Sequence, residues 1–141
     1  MTPKDAEAVS ALSAQLGYEL AAQQTADQIF ELTKSKDHCA FVAVLNGNIV
    51  GWVHGFKAIR IETGPFVEIG GLVVDAGHRN RGVGKKLIDR IKQWCFEQKV
   101  LALRVRSNTK RERAHRFYLN AGFAEMKEQK VFGLNLCDFG Q

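Results

Sequence analysis

The stretch PFVEIGGLVVD, residues 65–75, and the basic, glycine-bearing segment after it constrain the fold more than any other part of the chain. The run is β-rich and closes on Asp75. Just beyond it, HRNRGVGKK at 78–86 sets Gly82 and Gly84 among arginines and lysines. From 82 to 98, Val83, Leu87, Ile88, Ile91, Trp94 and Cys95 fall on one helical stripe, and VLALRVRS at 100–107 then alternates as a strand does. Strand, helix and strand joined this closely form a crossover. A crossover returns the second strand parallel to the first, with the helix packed on the sheet.

The rest of the chain surrounds this unit. A helix is expected over 2–16, with Thr2 at its start, Pro3 in its first turn and Asp5 as a capping acid. Its apolar face is Ala6, Val9, Leu12 and Leu16. A second helix over 22–35 shows Ala26, Ile29, Phe30 and Thr33. CAFVAVLNGNIVGWVHGF then reads as a hairpin turning at Asn46-Gly47. Residues 111–121 form a last helix ended by Gly122, and final strands are expected around 123–127 and 130–138. The order predicts one α/β domain over 1–141, with a mixed sheet. There is no internal repeat, linker or low-complexity tract.

Composition narrows the partners. With 45% hydrophobic and 25% charged residues the 141-residue chain is globular, and its net charge of +5 favours an anionic ligand. Cys39, Cys95 and Cys137 are scattered and make no Cys-x-x-Cys pair. His38, His54, His78 and His115 have no zinc-ligand spacing, so no metal is expected. No apolar run reaches the roughly 20 residues of a membrane span. The first ten residues are helix-like rather than a signal peptide, so the expected compartment is the cytoplasm.

A glycine loop between a strand and a helix suits a phosphate. The first helical amides lack internal partners, and the helix dipole adds partial positive charge. A P-loop needs a glycine where this chain has Arg79 and a hydroxyl where it has Lys86. A dinucleotide fingerprint needs a third glycine where Leu87 stands, and two helices and a hairpin already precede the loop. The plain alternative is a tight turn with solvated basic residues.

What remains, Arg79-x-x-Gly82-x-Gly84 after a hydrophobic strand, resembles the coenzyme loop of the GNAT N-acetyltransferases, which carry Gln/Arg-x-x-Gly-x-Gly/Ala there. GGLVVDAGHRNRGVGKKLI resembles that family's strand, loop and helix along its length. Further on, RERAHRFYLNAGF resembles its second signature, Tyr-x-x-x-Gly-Phe, through Tyr118, Gly122 and Phe123. The resemblance covers nearly the whole chain. It implies a mixed, mostly antiparallel central sheet flanked by about four helices, with the family's first strand absent or replaced. It further implies acetyl-CoA as co-substrate, a primary amine as acceptor, direct attack in a ternary complex, and a homodimer as one assembly open to it.

By the same resemblance, Arg79, Asn80, Arg81, Gly82, Val83, Gly84 and Lys85 hold the coenzyme phosphates. A strand bulge turns backbone groups at Leu72, Val73 and Val74 toward the thioester and pantetheine arm. Tyr118 is the acid for the departing thiolate, since a phenol with a pKa near ~10 stays protonated at neutral pH. Glu68, eleven residues before Arg79, stands where histone-acetylating members carry a base. On a regular strand Glu68 shares a face with Gly70, Leu72 and Val74, in apolar surroundings beside Phe66 and Ile69. A water chain is the alternative base. Where the family has Asn-x-x-Ala before the tyrosine helix, this chain has Arg111 before Ala114. Either Arg111 or Asn108 is expected to reach the coenzyme, with His115 beside its phosphates or serving structure.

Other readings stay open. His54 faces the acceptor side, and Trp52 and Phe56 either line that groove or simply pack. His38 and Cys39 are neighbours on a strand and point oppositely, which argues against a nucleophile pair. A sensor that holds acyl-CoA without transfer is the second class. A nucleic-acid binder using Arg104, Arg106, Lys110, Arg111, Arg113 and Arg116 is the third. That run lacks interleaved aromatics, and no nucleic acid is expected.

Overall fold

The computed structural model describes residues 1–139. The chain divides into two compact units, Met1–Arg106 and Ser107–Gln141. The first opens with a 3₁₀ turn at Pro3–Asp5, where the Asp5 carboxylate accepts from the Thr2 amide at 2.7 Å. Helix α1 comes next at Ala6–Ala14 and α2 at Ala22–Thr33. Strands β1 (His38–Leu45), β2 (Asn48–Arg60) and β3 (Gly64–Val74), helix α3 (Val83–Glu97) and strand β4 (Leu103–Val105) complete the unit.

The four strands lie side by side in chain order. β1 pairs antiparallel with β2 across a turn whose residues Asn46 and Gly47 both have positive φ, 50° and 81°. This is the primed geometry that matches strand twist. β2 pairs antiparallel with β3, and β3 pairs parallel with β4 across the α3 crossover, as expected.

Alternation along β2 assigns the two faces. Gly51 and Gly55 leave room for α3: a Cβ there would lie 3.2 Å from Leu87 and Val83, and 3.0 Å from Ile91. Leu87, Ile88, Ile91, Trp94 and Cys95 are buried, so the predicted α3 stripe is the stripe that packs. On the opposite face Ala6, Val9 and Ile29 cluster with Val42 and Trp52. Here α2 departs from expectation. Its buried residues are Thr25 and Ile29, while Phe30 is about half exposed with the Lys34 ammonium 4.1 Å above its ring.

In the second unit α4 spans Glu112–Asn120. The strands expected at 123–127 and 130–138 are not formed among the described residues; the chain runs without a ladder to a 3₁₀ turn at Leu136–Phe139. Met126, Val131, Phe132 and Leu134 are exposed. Apolar alternation makes a segment suited to a strand, but a strand exists only where a neighbour takes its peptide groups. β4 is likewise shorter than the 100–107 alternation suggests, because only Leu103–Val105 meets β3.

Candidate active site

The site begins with an irregularity in β3. Gly55 pairs with Ile69 but His54 pairs with Gly71, so Gly70 is an extra residue on β3. This bulge changes which residues share a face. Glu68 pairs with Phe56 before it, and Gly71 and Val73 pair with His54 and Trp52 after it. Glu68 therefore shares its face with Gly71 and Val73, not with Leu72 and Val74 as a regular strand requires. The two glycines are needed because rings lie over them. A Cβ on Gly70 would stand 2.7 Å from His54 Nδ1, and one on Gly71 would stand 2.6 Å from the Trp52 ring.

Beyond the bulge β3 leaves its parallel neighbour. The last β3–β4 pair is Ile69 with Val105, yet β3 continues to Val74. The Asp75 amide donates to Val50 of β2 at 2.8 Å. Peptide groups alternate along a strand, so Val73 also faces β2 while Leu72 and Val74 face the opened edge. Of the three backbone positions the sequence singles out, two thus have unpaired groups on the open side.

A network of short bonds carries the chain from β3 to α3. The Asp75 carboxylate accepts from the Gly77 amide at 3.2 Å and from Gln15 Nε2 at 2.8 Å, and it lies 2.6 Å from His78 Nδ1. The Gln15 and His78 bonds hold its pKa below the usual carboxylate value. Gln15 Oε1 accepts from the Ala76 amide at 3.0 Å, tying the end of α1 to the loop. The sequence reading missed these anchors. Asp75 and His78 carry a local signal, an Asp three residues before a His after a strand; Gln15, 60 residues away, carries none.

The loop then turns at Asn80 (φ 63°) and Gly82 (φ 81°). Gly82 is the N-cap of α3, makes no side-chain cap, and has open space where a Cβ would stand. The first α3 bond runs from the Lys86 amide to the Gly82 carbonyl at 3.1 Å. The amides of Val83, Gly84 and Lys85 precede it and are unpaired among the described residues. Arg79 is half-buried, and Arg81, Lys85 and Lys86 are exposed. This cationic turn with free amides has the donor set a pyrophosphate needs.

Glu68 is half-buried, but its surroundings are not the apolar ones expected: Arg106 Nε stands 3.4 Å from its Oε1. Nearby, His38 Nδ1 and His54 Nε2 lie 2.9 Å apart, and Phe56 stacks on His38 at 5.7 Å between centroids. Burial, and then His38, push the His54 pKa down to about 4, so the imidazole is neutral at pH 7. Cys39 lies on the α3 face, its sulfur 3.3 Å from the Cβ position of Gly55, and burial lifts its pKa to about 12. A thiol so protonated is no nucleophile.

In the second unit, Tyr118 sits edge-on between Phe117 and Phe123, with centroids 5.2 and 5.5 Å away. Its carbonyl accepts from the Phe123 amide at 3.0 Å, so the Tyr-x-x-x-Gly-Phe sequence is a helix end folded back on itself. Burial raises the Tyr118 pKa against the opposing Arg111 charge, which keeps the phenol a proton donor. Arg111 occupies the N-cap of α4. Asn108 uses its side-chain oxygen on the Lys110 amide at 2.9 Å, and its carbonyl lies 2.8 Å from His115 Nε2. His115 thus braces the turn that opens α4.

An opened parallel pair beside uncapped helix amides is the arrangement that the resemblance to acetyl-CoA-dependent N-acetyltransferases implies. The chain belongs to the acetyltransferase (GNAT) family, whose model matches residues 7–123. It is 31% identical over 93 residues to the N-acetylaspartate synthetase of Rattus norvegicus, a match covering 66% of this chain and 30% of that protein. The chain thus spans less than a third of that curated relative. Among solved structures it resembles the aminoglycoside acetyltransferase AAC(6')-Iy bound to the bisubstrate analogue CoA-S-monomethyl-acetylneamine. There the TM-score is 0.85 and the identity 19%, over 96% of this chain and 95% of that one. It also resembles the aminoglycoside 6'-N-acetyltransferase AAC(6')-Ih of Acinetobacter baumannii, with TM-score 0.85, identity 14% and coverage of 96% and 95%. At such identities these structures establish the fold.

Proposed function

We propose that residues 1–141 act as one domain that moves an acetyl group from acetyl-CoA to a primary amine by direct attack. The observation that carries this reading is the α3 start. Gly82 at positive φ leaves three amides unpaired beside the opened edge of β3. Those amides, with Arg79, Arg81 and Lys85, receive the coenzyme diphosphate. The free peptide groups of Leu72 and Val74 receive the pantetheine arm and thioester.

An amine attacks only as the free base. Glu68, directly or through water, takes the proton that the nitrogen sheds. The nitrogen lone pair forms the new C–N bond, and the carbonyl electrons move to oxygen. Collapse re-forms the carbonyl and breaks the C–S bond. Tyr118 gives its hydroxyl proton to the departing thiolate, which leaves as CoA-SH.

Two structural neighbours are aminoglycoside acetyltransferases, and the curated relative is an N-acetylaspartate synthetase. Both polycationic and anionic acceptors therefore belong in the test. Thiol release from acetyl-CoA with a panel of amines checks the reading, with CoA binding measured by calorimetry. Saturable CoA binding and amine-dependent thiol are expected. Binding without thiol on any amine would leave a sensor, and no binding to the folded protein would end the reading.

A further inference from the structure

Resting on the transfer reading, the charge around Glu68 defines the acceptor. Three arginines converge on this part of the sheet from two strands. Arg60 ends β2, Arg104 lies in β4 opposite Glu68, and Arg106 comes directly after β4. Arg106 takes the Glu68 carboxylate. Arg104 instead turns to Phe66, its guanidinium carbon 4.4 Å from the ring centroid, and Arg60 approaches the same ring at 5.4 Å. Phe66 is 2% exposed, so the two guanidiniums rest on a fixed apolar floor. Among the described residues neither has a carboxylate within ion-pair distance. Glu62, in the exposed turn between β2 and β3, makes no ion pair among the described residues either.

We infer that the acceptor is a small primary amine that itself carries a carboxylate, an amino acid in kind. Phe66 and Glu68 share a face two residues apart, about 7 Å along a strand. An amine at Glu68 therefore puts a carboxylate a few bonds away within reach of Arg60 and Arg104. Guanidinium forks match carboxylate geometry, and resting on an aromatic floor leaves their N–H edges free to donate. One guanidinium on Glu68 and two over the neighbouring Phe66 disfavour a polycation, because each added ammonium meets like charge on this face.

Thiol release with L-aspartate, ethanolamine, spermidine and an aminoglycoside tests this. The expected kcat/KM for aspartate is about tenfold above ethanolamine and further above both polycations. Arg60→Gln and Arg104→Gln should each raise the aspartate KM about tenfold while the acetyl-CoA KM stays within about twofold. Arg60 is exposed, so its variant reports even if loss of Arg104 disturbs the sheet. Spermidine or the aminoglycoside outrunning aspartate overturns the inference, as does an aspartate KM unmoved in both variants. Calorimetric titration of the CoA-saturated protein separates this failure from failure of the transfer reading. Saturable heat with aspartate supports the charge assignment even without turnover. Heat from spermidine alone, or from none of the amines, overturns it.

Discussion

Burial moves Tyr118 and His54 in opposite directions, each toward its neutral form. For Tyr118, the proposed acid, neutrality is the state the role requires. Tyr118→Phe is expected to lower kcat by about ten- to a hundredfold, within the range for general acid catalysis, with CoA affinity nearly intact. Unchanged turnover would remove Tyr118 from the mechanism. Glu68→Gln is expected to flatten the acidic limb of the pH–rate profile, and an unaltered profile would mean another base. For His54 the consequence is stability. Its pKa is held at about 4 against an ordinary 6.5, so the unfolded chain binds the proton first on acidification. Stability should therefore fall from about pH 6.5 downward and level off near pH 4. The loss is on the order of 1–2 kcal/mol after allowing for solvent screening. Thermal melts across that range should show the slope in the wild type and not in His54→Gln. The same slope in both would assign it to other groups.

At the scale of elements, the β3 bulge and the α3 start carry the proposed site. The bulge depends on Gly70 and Gly71 lying beneath rings. Gly71→Ala would press a methyl to 2.6 and 2.8 Å from two Trp52 ring carbons. Trp52 is also packed against the Ala6–Val9–Ile29 cluster, so the ring cannot easily withdraw. A loss of about 1–3 kcal/mol is expected by chemical denaturation, with weaker CoA binding because Leu72 and Val74 lie immediately beyond the bulge. Gly133→Ala is the control: nothing lies within 4 Å of its Cβ position, and the change should stay within about 0.5 kcal/mol. Equal effects of the two would mean that ring contact is not why Gly71 is glycine.

For the whole molecule, ligand binding and folding share one free energy. CoA at about 100 times its Kd should stabilise the folded state by about 2.7 kcal/mol, read as a rise of several degrees in Tm. Exposed basic residues of the loop predict that the rise shrinks as salt is added, through screening. A salt-independent shift would point to the buried contacts of the pantetheine arm instead. The charge pattern extends this to the acceptor side. Cations both at the coenzyme loop and around Glu68 suit a donor and an acceptor that are each anionic.

The crossover, the hairpin at Asn46-Gly47 and the α3 stripe were legible because each is a local pattern with one physical solution. The glycine loop and the tyrosine helix were legible for the same reason: amides, dipole and φ are set within a few residues. The strands expected at 123–127 and 130–138 were not decidable that way, since alternation supplies one half of a ladder and only the fold supplies the other. Nor was the slip at Gly70, which reverses which residues join Glu68 and arises from rings on β2. Arg106 beside Glu68, Gln15 on Asp75 and the two arginines over Phe66 lie up to 60 residues apart in the chain. The sequence by itself determined the hairpin, the crossover and the glycine turn that opens α3. The tertiary structure alone decided which charges meet, because an ion pair or a stacked ring depends on distances in space that chain order does not encode.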